Sequence, residues 1–132
     1  MRKPLAAFRY DIDGNDKISI DSILNALATA VIVLNVKNSI ILINIAGEHF
    51  LQGGVEYLKG RPLSDLLPED NPVFSLIRRV RKQGLAISEN RVIMESPRIG
   101  KNSVNLQASP LAEDPSIIIL TLQQRSIAET ID

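Results

Sequence analysis

The sequence has no cysteine and no tryptophan, and aromatic residues make up only 4% of its 132 positions. A chain without cysteine has no disulfide, no thiolate nucleophile and no thiolate metal ligand, which is typical of proteins in a reducing cytoplasm. Because aromatic side chains are scarce, the hydrophobic core has to consist mainly of Ile, Leu and Val. The β-branched residues among these favour strands over helices.

The sequence also lacks an excess of either charge and a long hydrophobic run. Its 15 Lys and Arg residues balance 15 Asp and Glu residues, so no overall field directs the molecule to nucleic acid or to an anionic membrane. The longest apolar stretch, Leu27–Leu34, is far shorter than a membrane-spanning helix, which needs about 20 residues. No apolar segment follows the basic residues at the N-terminus, so a signal peptide is not expected. We therefore expect a single-domain, cytoplasmic protein.

The first part of the chain predicts a short helix followed by a β-hairpin. Asp21 or Ser22 can cap a helix whose apolar positions include Ile23 and Leu27. Two β-rich runs then flank a short polar turn, in which an asparagine can adopt the left-handed conformation. The two runs are Val31–Val36 and Ile40–Ile45, and the turn is Lys37-Asn38-Ser39.

The middle of the chain predicts helices. Between residues 46 and 70, short helical fragments are separated by glycine and proline, and none is long enough to be stable without packing on a sheet. The clearest helix follows, because Asn71 is a good N-cap, Pro72 suits the first helical position and Gly84 suits the position after the end. Its basic side is interpreted as a solvated face, with docking to another protein domain as the alternative. This side comprises Arg78, Arg79, Arg81 and Lys82.

The last third predicts three strands joined by turns rich in Pro, Gly and Asn. The strands are Ile87–Glu95, Ser103–Leu111 and Ser116–Gln124. Five strands, with the helices gathered in the middle of the chain, predict an α+β fold in which one antiparallel sheet carries helices on one face. We divide the chain into an N-terminal arm at 1–19, a domain at 20–124 and the start of a C-terminal signalling helix at 125–132. The helical pattern of this tail has no cap, so we expect the native protein to continue.

The order of elements and several local segments resemble a PAS domain. The matching segments are the hairpin, Asn44-Ile45-Ala46 followed by Phe50, the stretch 60–68 (Gly-Arg-Pro-Leu-Ser-Asp-Leu-Leu-Pro), and three closing strands that lead into an outgoing helix. The likeness covers residues 20–126. It implies a regulatory domain built on a five-stranded antiparallel sheet with helices packed on one face.

A narrower resemblance, to the N-terminal sensor region of nitrogen-regulation sensor histidine kinases, rests on three segments. They are Ile23–Leu27, Asn44–Leu51 and Arg125–Asp132. In that family the PAS domain precedes a dimerising helix pair with the phosphoacceptor histidine, and then an ATP-binding domain. The resemblance implies a homodimeric input domain for a kinase core of the same chain, regulated through the PII signal protein. Neither kinase part is present in this sequence, so this segment is not expected to be an enzyme.

Residues 11–22 resemble a calcium-binding EF-hand loop, because oxygen donors stand at its positions 1, 3, 5 and 9. However, Asp16 stands at position 6, where the loop needs glycine, and Ser22 stands at position 12, where it needs a bidentate glutamate. The ten preceding residues are too few for a full entering helix. A polar linker that caps the next helix is the simpler interpretation, and weak calcium binding is kept as an alternative.

The other residues with reactive side chains predict no catalytic or cofactor site. His49 is the only histidine, and it lies between Glu48 and Phe50 on a short predicted helix, so we interpret it as a surface residue rather than a haem ligand. It also lacks the His-Glu-x-x-x-Pro surroundings of a phosphoacceptor. Catalysis needs a nucleophile with a base, paired carboxylates or a metal, and the acidic residues near Pro68 are interpreted as helix caps. We therefore expect no metal, no cofactor and no enzymatic activity.

Two hypotheses for the function follow, and the first is a dimerising relay. The N-terminal helix and the outer sheet face would form the interface, and the tail would begin a coiled coil that leads to the kinase core. The run Ile117–Leu122 supports this, because a strand with one solvated face should alternate and this run does not. The predicted interface residues are Ile23, Leu24, Leu27, Ile118, Leu120, Ile127 and Ile131.

In the second hypothesis, the sheet and its helices enclose a cavity that binds a small metabolite, and the ligand acts through the same C-terminal helix. Aliphatic side chains dominate the predicted lining. It comprises Ile32, Leu34, Ile40, Leu42, Asn44, Phe50, Phe74 and Ile77. A collapsed and filled core is the alternative, and we expect no bound ligand.

Overall fold

A short helix opens the computed structural model, which describes residues 18–125 of the chain. This helix, α1 (Ile20–Asn25), begins at Ser19, whose hydroxyl oxygen accepts a hydrogen bond from the Ser22 N–H. The N-cap is therefore Ser19, and the prediction of Asp21 or Ser22 is wrong. No residue of α1 is buried, so the helix keeps its apolar side chains at the surface.

The hairpin is formed by β1 (Ala30–Leu34) and β2 (Ile40–Ile43). Asn38 adopts the left-handed conformation expected of it, with φ of 61°. The Asn35 carboxamide oxygen accepts backbone N–H groups across the turn, at 2.9 and 3.0 Å, and so ends β1 two residues earlier than predicted. β2 ends before Asn44 because this residue is the N-cap of the next helix.

The remaining helices lie between β2 and β3, as the sequence indicates. Asn71 caps the longest helix through a hydrogen bond from the Val73 N–H, and Gly84 ends it with φ of 72°, so both predicted ends are confirmed. The last of the short helical fragments predicted between residues 46 and 70 is a single 3₁₀ turn. The elements are α2 (Ile45–Leu51), α3 (Val55–Leu58), the 3₁₀ turn (Leu63–Asp65) and α4 (Pro72–Gln83).

Three further strands complete one antiparallel sheet, which confirms the predicted fold class. They are β3 (Ile87–Ser96), β4 (Gly100–Pro110) and β5 (Ile118–Gln124). The order across the sheet is β2-β1-β5-β4-β3, with every neighbouring pair antiparallel. The last strand of the described chain is therefore the central strand of the sheet.

The core lies between the inner face of the sheet and the helices. Alternate residues of each inner strand point into it, as the two-residue period of a strand requires. Helix α4 contributes a stripe at helical spacing, in which Val73, Ile77 and Val80 are buried. The core residues of the three central strands are Ala30, Ile32, Leu34, Val104, Leu106, Ala108, Ile118, Leu120 and Leu122.

Candidate functional site

Asn44 lies where three elements meet, and both ends of its carboxamide are used there. Its Oδ1 accepts hydrogen bonds from the N–H groups of Val31 and Gly47, both at 2.9 Å. Its Nδ2 donates to the carbonyl oxygens of Leu24 and Thr29, also both at 2.9 Å. The residue is only 1% exposed. Asn44 therefore joins α1, β1 and the first turn of α2.

A second asparagine attaches α1 to α2. The Oδ1 atom of Asn25 accepts a hydrogen bond from the Ile45 N–H at 2.9 Å, so the N-terminus of α2 is capped partly by a residue of α1. A displacement of α1 consequently breaks hydrogen bonds at the start of α2.

Gly47 makes the close packing of α2 on the sheet possible, because a Cβ atom there would lie 2.7 Å from Cγ1 of Ile43 and 3.2 Å from the carbonyl oxygen of Val31.

The predicted apolar residues of α1 and of the segment directly after it lie at the surface. Ile23 is 52% exposed and Leu27 is 45% exposed, whereas Leu24 is half-buried. Leu24 lines a surface cavity of about 250 Å³ between α1 and the edge strand β2. Ile127 and Ile131, which were predicted to extend this interface, lie outside the described residues.

Two other predicted interface residues, Ile118 and Leu120, are in the wrong place for an outer surface. Both are buried in the core cluster, with at most 1% of their surface exposed. Because side chains alternate along a strand, the outer face of β5 instead carries Ile119 and Thr121, which are half-buried. The prediction failed because a continuous apolar run does not show which of its residues face inward.

The outer face of the sheet has an apolar part. The strand register pairs Val33 of β1 with Ile119 of β5 on one side and with Leu42 of β2 on the other. These three residues form the outer apolar row, and each is only half-buried. Leu42 also lines the cavity beside Leu24. The outer apolar row therefore reaches the cavity that adjoins α1.

The structure brings most of the predicted pocket residues together, but as a packed core. Ile32, Leu34, Ile40, Phe50, Phe74 and Ile77 belong to one buried cluster. Leu42 belongs to the outer face, and the carboxamide of Asn44 is bonded to the backbone at both ends. A metabolite site among the six clustered residues stays a prediction.

The basic side of α4 is divided between intramolecular contacts and solvent. Arg79 forms an ion pair with Glu89 of β3. The side chain of Arg81 makes three hydrogen bonds, from Nη1 to the Ser116 carbonyl oxygen at 2.6 Å and from Nη2 to oxygens of Asn35 and Asn38 at 2.8 and 2.7 Å. Partial burial lowers the pKa of the Arg81 guanidinium, which nevertheless stays charged at neutral pH.

The interpretation of this side as solvated therefore holds for Arg78 and Lys82, which are exposed. Arg79 is partly exposed and ion-paired with Glu89, and the interpretation is wrong for Arg81. Sequence periodicity assigned all four to one polar face, because it cannot show which loops of the folded chain approach that face. Arg81 joins the end of α4 to the hairpin turn and to the β4–β5 connection. Arg81 and Asn25 are structural residues whose contacts the sequence analysis did not identify.

Replacing Arg81 with methionine is expected to lower the free energy of unfolding by about 2–3 kcal/mol, because three bonds from a charged donor are lost while the alkyl packing is kept. Urea denaturation followed by circular dichroism measures the loss. The matched control is Arg78→Met, which removes an exposed arginine from the same helix and is expected to change the stability by about 0.5 kcal/mol or less. Equal effects of the two substitutions would show that the Arg81 contacts do not stabilise the fold.

The side chains that could bind a metal ion do not form a metal site within the described part of the chain. Between residues 18 and 125, no group of three or more His, Asp and Glu side chains is placed to hold a metal ion. In the same range, no helix is long and apolar enough to cross a membrane. His49 is exposed near the end of α2. Most of the calcium-like loop, residues 11–17, lies outside the described residues, and its later members Ser19 and Ser22 form the cap of α1.

The sheet order and the helices between β2 and β3 define the class of domain to which the chain belongs. The family model described as PAS fold matches residues 19–125. The chain therefore belongs to the PAS family, as the resemblance predicted.

Within this family, the chain is similar to nitrogen-regulation sensor kinases, which confirms the narrower resemblance. It is 32% identical over 109 residues to the sensory histidine kinase/phosphatase NtrB of Azospirillum brasilense, covering 83% of this chain and 27% of that protein. It is 30% identical over 121 residues to NtrB of Rhizobium meliloti (strain 1021), covering 91% of this chain and 31% of that protein. The chain thus spans less than a third of the length of these relatives.

A solved structure shares the fold. The PAS domain of nitrogen regulation protein NR(II) from Vibrio parahaemolyticus superposes with a TM-score of 0.69 at 19% sequence identity, over 82% of this chain and 100% of that chain. At this identity the similarity shows the fold alone. It agrees with the five-stranded antiparallel sheet described above.

Proposed function

We propose that this PAS domain is the input domain of a nitrogen-regulation two-component sensor histidine kinase, and that it dimerises and relays a signal without catalytic groups of its own. The observation that carries the proposal is the similarity to NtrB kinases, which extends over 83% and 91% of the chain. A kinase core of the same chain is the direct partner in this proposal. The PII signal protein is the proposed upstream regulator.

The proposed dimer surface consists of the exposed side of α1, Leu27 directly after it, and the outer apolar row. Ile23 and Leu27 are large apolar side chains that stay about half exposed in the single chain, and burying them against a second copy removes that surface from water. Val33, Leu42 and Ile119 offer an adjacent apolar area on the sheet. This surface replaces the predicted one that included Ile118 and Leu120.

The proposed relay passes from α1 into the sheet. Because Asn25 and Asn44 bond α1 to the start of α2 and β1, a change in how two α1 helices pack alters hydrogen bonds inside the domain. β1 is paired with β5, which carries the chain toward residue 125. Such a relay requires two dimer arrangements of similar free energy, one of which a partner stabilises.

Light scattering over a concentration series tests the proposal. We expect a dimer at micromolar concentration, and we expect Ile23→Ala/Leu27→Ala to weaken it by about 2 kcal/mol, or about 30-fold in Kd, because two apolar contacts are truncated. The matched control is Ile93→Ala, which removes an isoleucine of exposure similar to Ile23 (47% against 52%) from β3. A monomer at all concentrations, or equal dimer loss in the control, would exclude this interface.

The two alternative functions have direct tests of their own. For a metabolite sensor, native mass spectrometry of the purified domain and a thermal-shift screen should show bound mass or a raised melting temperature. For weak calcium binding through residues 11–22, a calcium titration followed by calorimetry should show heat of binding. Either positive result in a monomeric protein would favour that alternative over the dimerising relay.

A further inference from the structure

Two of the most exposed apolar side chains of the described residues lie at the end of the molecule where α4 finishes. Val36, in the hairpin turn, is 63% exposed, and Leu85, directly after the Gly84 cap of α4, is 65% exposed. Single exposed apolar residues are common on protein surfaces. Two such residues at the same end of a domain, however, form the centre of a candidate interaction surface.

Arg81 brings these two segments together. Its Nη2 atom donates to the Asn35 carbonyl oxygen and to Oδ1 of Asn38, the residues on either side of Val36 and Lys37. Arg81 itself lies in the last turn of α4, four positions before Leu85. The hairpin turn is thus held against the last turn of the helix, at the same end of the molecule as Leu85.

The same surface carries positive charge that is not neutralised within the described chain. Lys37, Arg78 and Lys82 are all exposed. Within residues 18–125, the ion pairs are Arg61–Asp65 and Arg79–Glu89, and none of these three cations takes part in one. We name Val36, Lys37, Arg78, Lys82 and Leu85 together the hairpin end.

We propose that the hairpin end is a docking surface for an acidic protein surface that carries an exposed apolar side chain. Carboxylates of the partner would face the three cations, and its apolar group would cover Val36 and Leu85. An apolar centre with a charged rim is the usual composition of a protein–protein interface. Charge complementarity at the rim raises the association rate and excludes partners of the same sign.

The surroundings favour an acidic protein over nucleic acid. The Nη1 atom of Arg81 bonds to the carbonyl of Ser116, so the β4–β5 connection with Glu113 and Asp114 borders the hairpin end. The cationic area is bounded there and does not continue as a stripe along which a nucleic-acid backbone could lie. The hairpin end has no aromatic side chain on which bases could stack. The net charge of the whole chain is zero.

This surface is separate from the proposed dimer surface, because none of its residues belongs to α1 or to the outer apolar row. It also does not depend on the kinase assignment. A monomeric protein can dock through the hairpin end, and a dimeric protein can fail to do so. The two proposals can therefore fail independently.

The test uses a short synthetic peptide of glutamates with two leucines one helical turn apart, titrated into the whole chain and followed by two-dimensional NMR. We expect shifts concentrated at the hairpin end, and a dissociation constant that rises at least 10-fold in about 1 M salt, where charges are screened beyond about 3 Å. A peptide with serine in place of leucine should bind several-fold more weakly. A single-stranded DNA and anionic phosphatidylserine vesicles serve as the competing polyanions.

The variant Lys37→Glu/Arg78→Glu/Lys82→Glu should lose peptide binding by 10-fold or more. Its melting curve checks that it folds, as expected from three exposed side chains. The matched control reverses Lys59, Arg91 and Lys101, which are exposed cations outside the hairpin end, and should bind as the original protein does. Absence of binding, shifts centred elsewhere, an equal loss in the control, or tighter binding of DNA or vesicles would each overturn the proposal.

Discussion

Replacing Asn44 with alanine is expected to lower the free energy of unfolding by about 3–5 kcal/mol. The substitution leaves the N–H groups of Val31 and Gly47 without their acceptor and the carbonyls of Leu24 and Thr29 without their donor. A buried polar group that loses its partner costs about 1–3 kcal/mol. Water entering the site recovers part of this, so the total stays below the sum of four such losses.

Urea denaturation of the purified chain measures this effect, and Asn25→Ala is the matched control. Asn25 contributes a single bond to α2, in which its Oδ1 accepts from the Ile45 N–H, and the residue is exposed. We expect this control to cost about 1 kcal/mol. A loss at Asn44 no larger than the loss at Asn25 would show that the junction of α1, β1 and α2 does not depend on the Asn44 carboxamide.

Replacing Leu120 with alanine is expected to destabilise the domain by about 2–5 kcal/mol, whereas Ile119→Ala should cost about 1 kcal/mol or less in the single chain. Leu120 is 1% exposed in the centre of β5 and packs in the core cluster, so truncation leaves a cavity among neighbours that cannot fully collapse. Ile119 is half-buried on the outer face. The Ile119 side chain therefore buries less apolar surface on folding than the Leu120 side chain does.

The same pair of variants separates stability from association. Chemical denaturation at low protein concentration should show the large loss only for Leu120→Ala. Light scattering should show weakened dimers for Ile119→Ala, because Ile119 belongs to the outer apolar row. The reverse order of stabilities would mean that the inward and outward faces of β5 have been assigned the wrong way round.

Local sequence signals predicted the parts of the fold that depend on neighbouring residues. The two ends of α4 follow from Asn71 and Gly84, since a cap requires only a suitable side chain or backbone conformation at one position. The hairpin turn follows in the same way from Asn38, which tolerates positive φ. The cap of α1 was misplaced because Ser19, Asp21 and Ser22 are all acceptable caps, and only the path of the chain selects Ser19.

Residues whose roles depend on distant segments could not be assigned in this way. Asn44 was predicted to line a pocket, yet it bonds to residues 13 and 20 positions away in the chain. Arg81 was predicted to be solvated, yet it reaches residues 35 and 46 positions away. A long polar side chain has no local signal that distinguishes solvent from a distant carbonyl group.

The sequence by itself determined the order of strands and helices, the hairpin, the ends of α4 and the PAS resemblance, because hydrophobic period, caps and turns are local properties. Tertiary structure decided that Ile118 and Leu120 face the core while Ile119 faces outward, since a continuous apolar run is compatible with either orientation. It also decided that Asn44 joins α1 to the sheet and that Arg81 holds the hairpin turn against α4. Burial and long-range hydrogen bonds arise only when separate segments meet, so no local pattern could specify them.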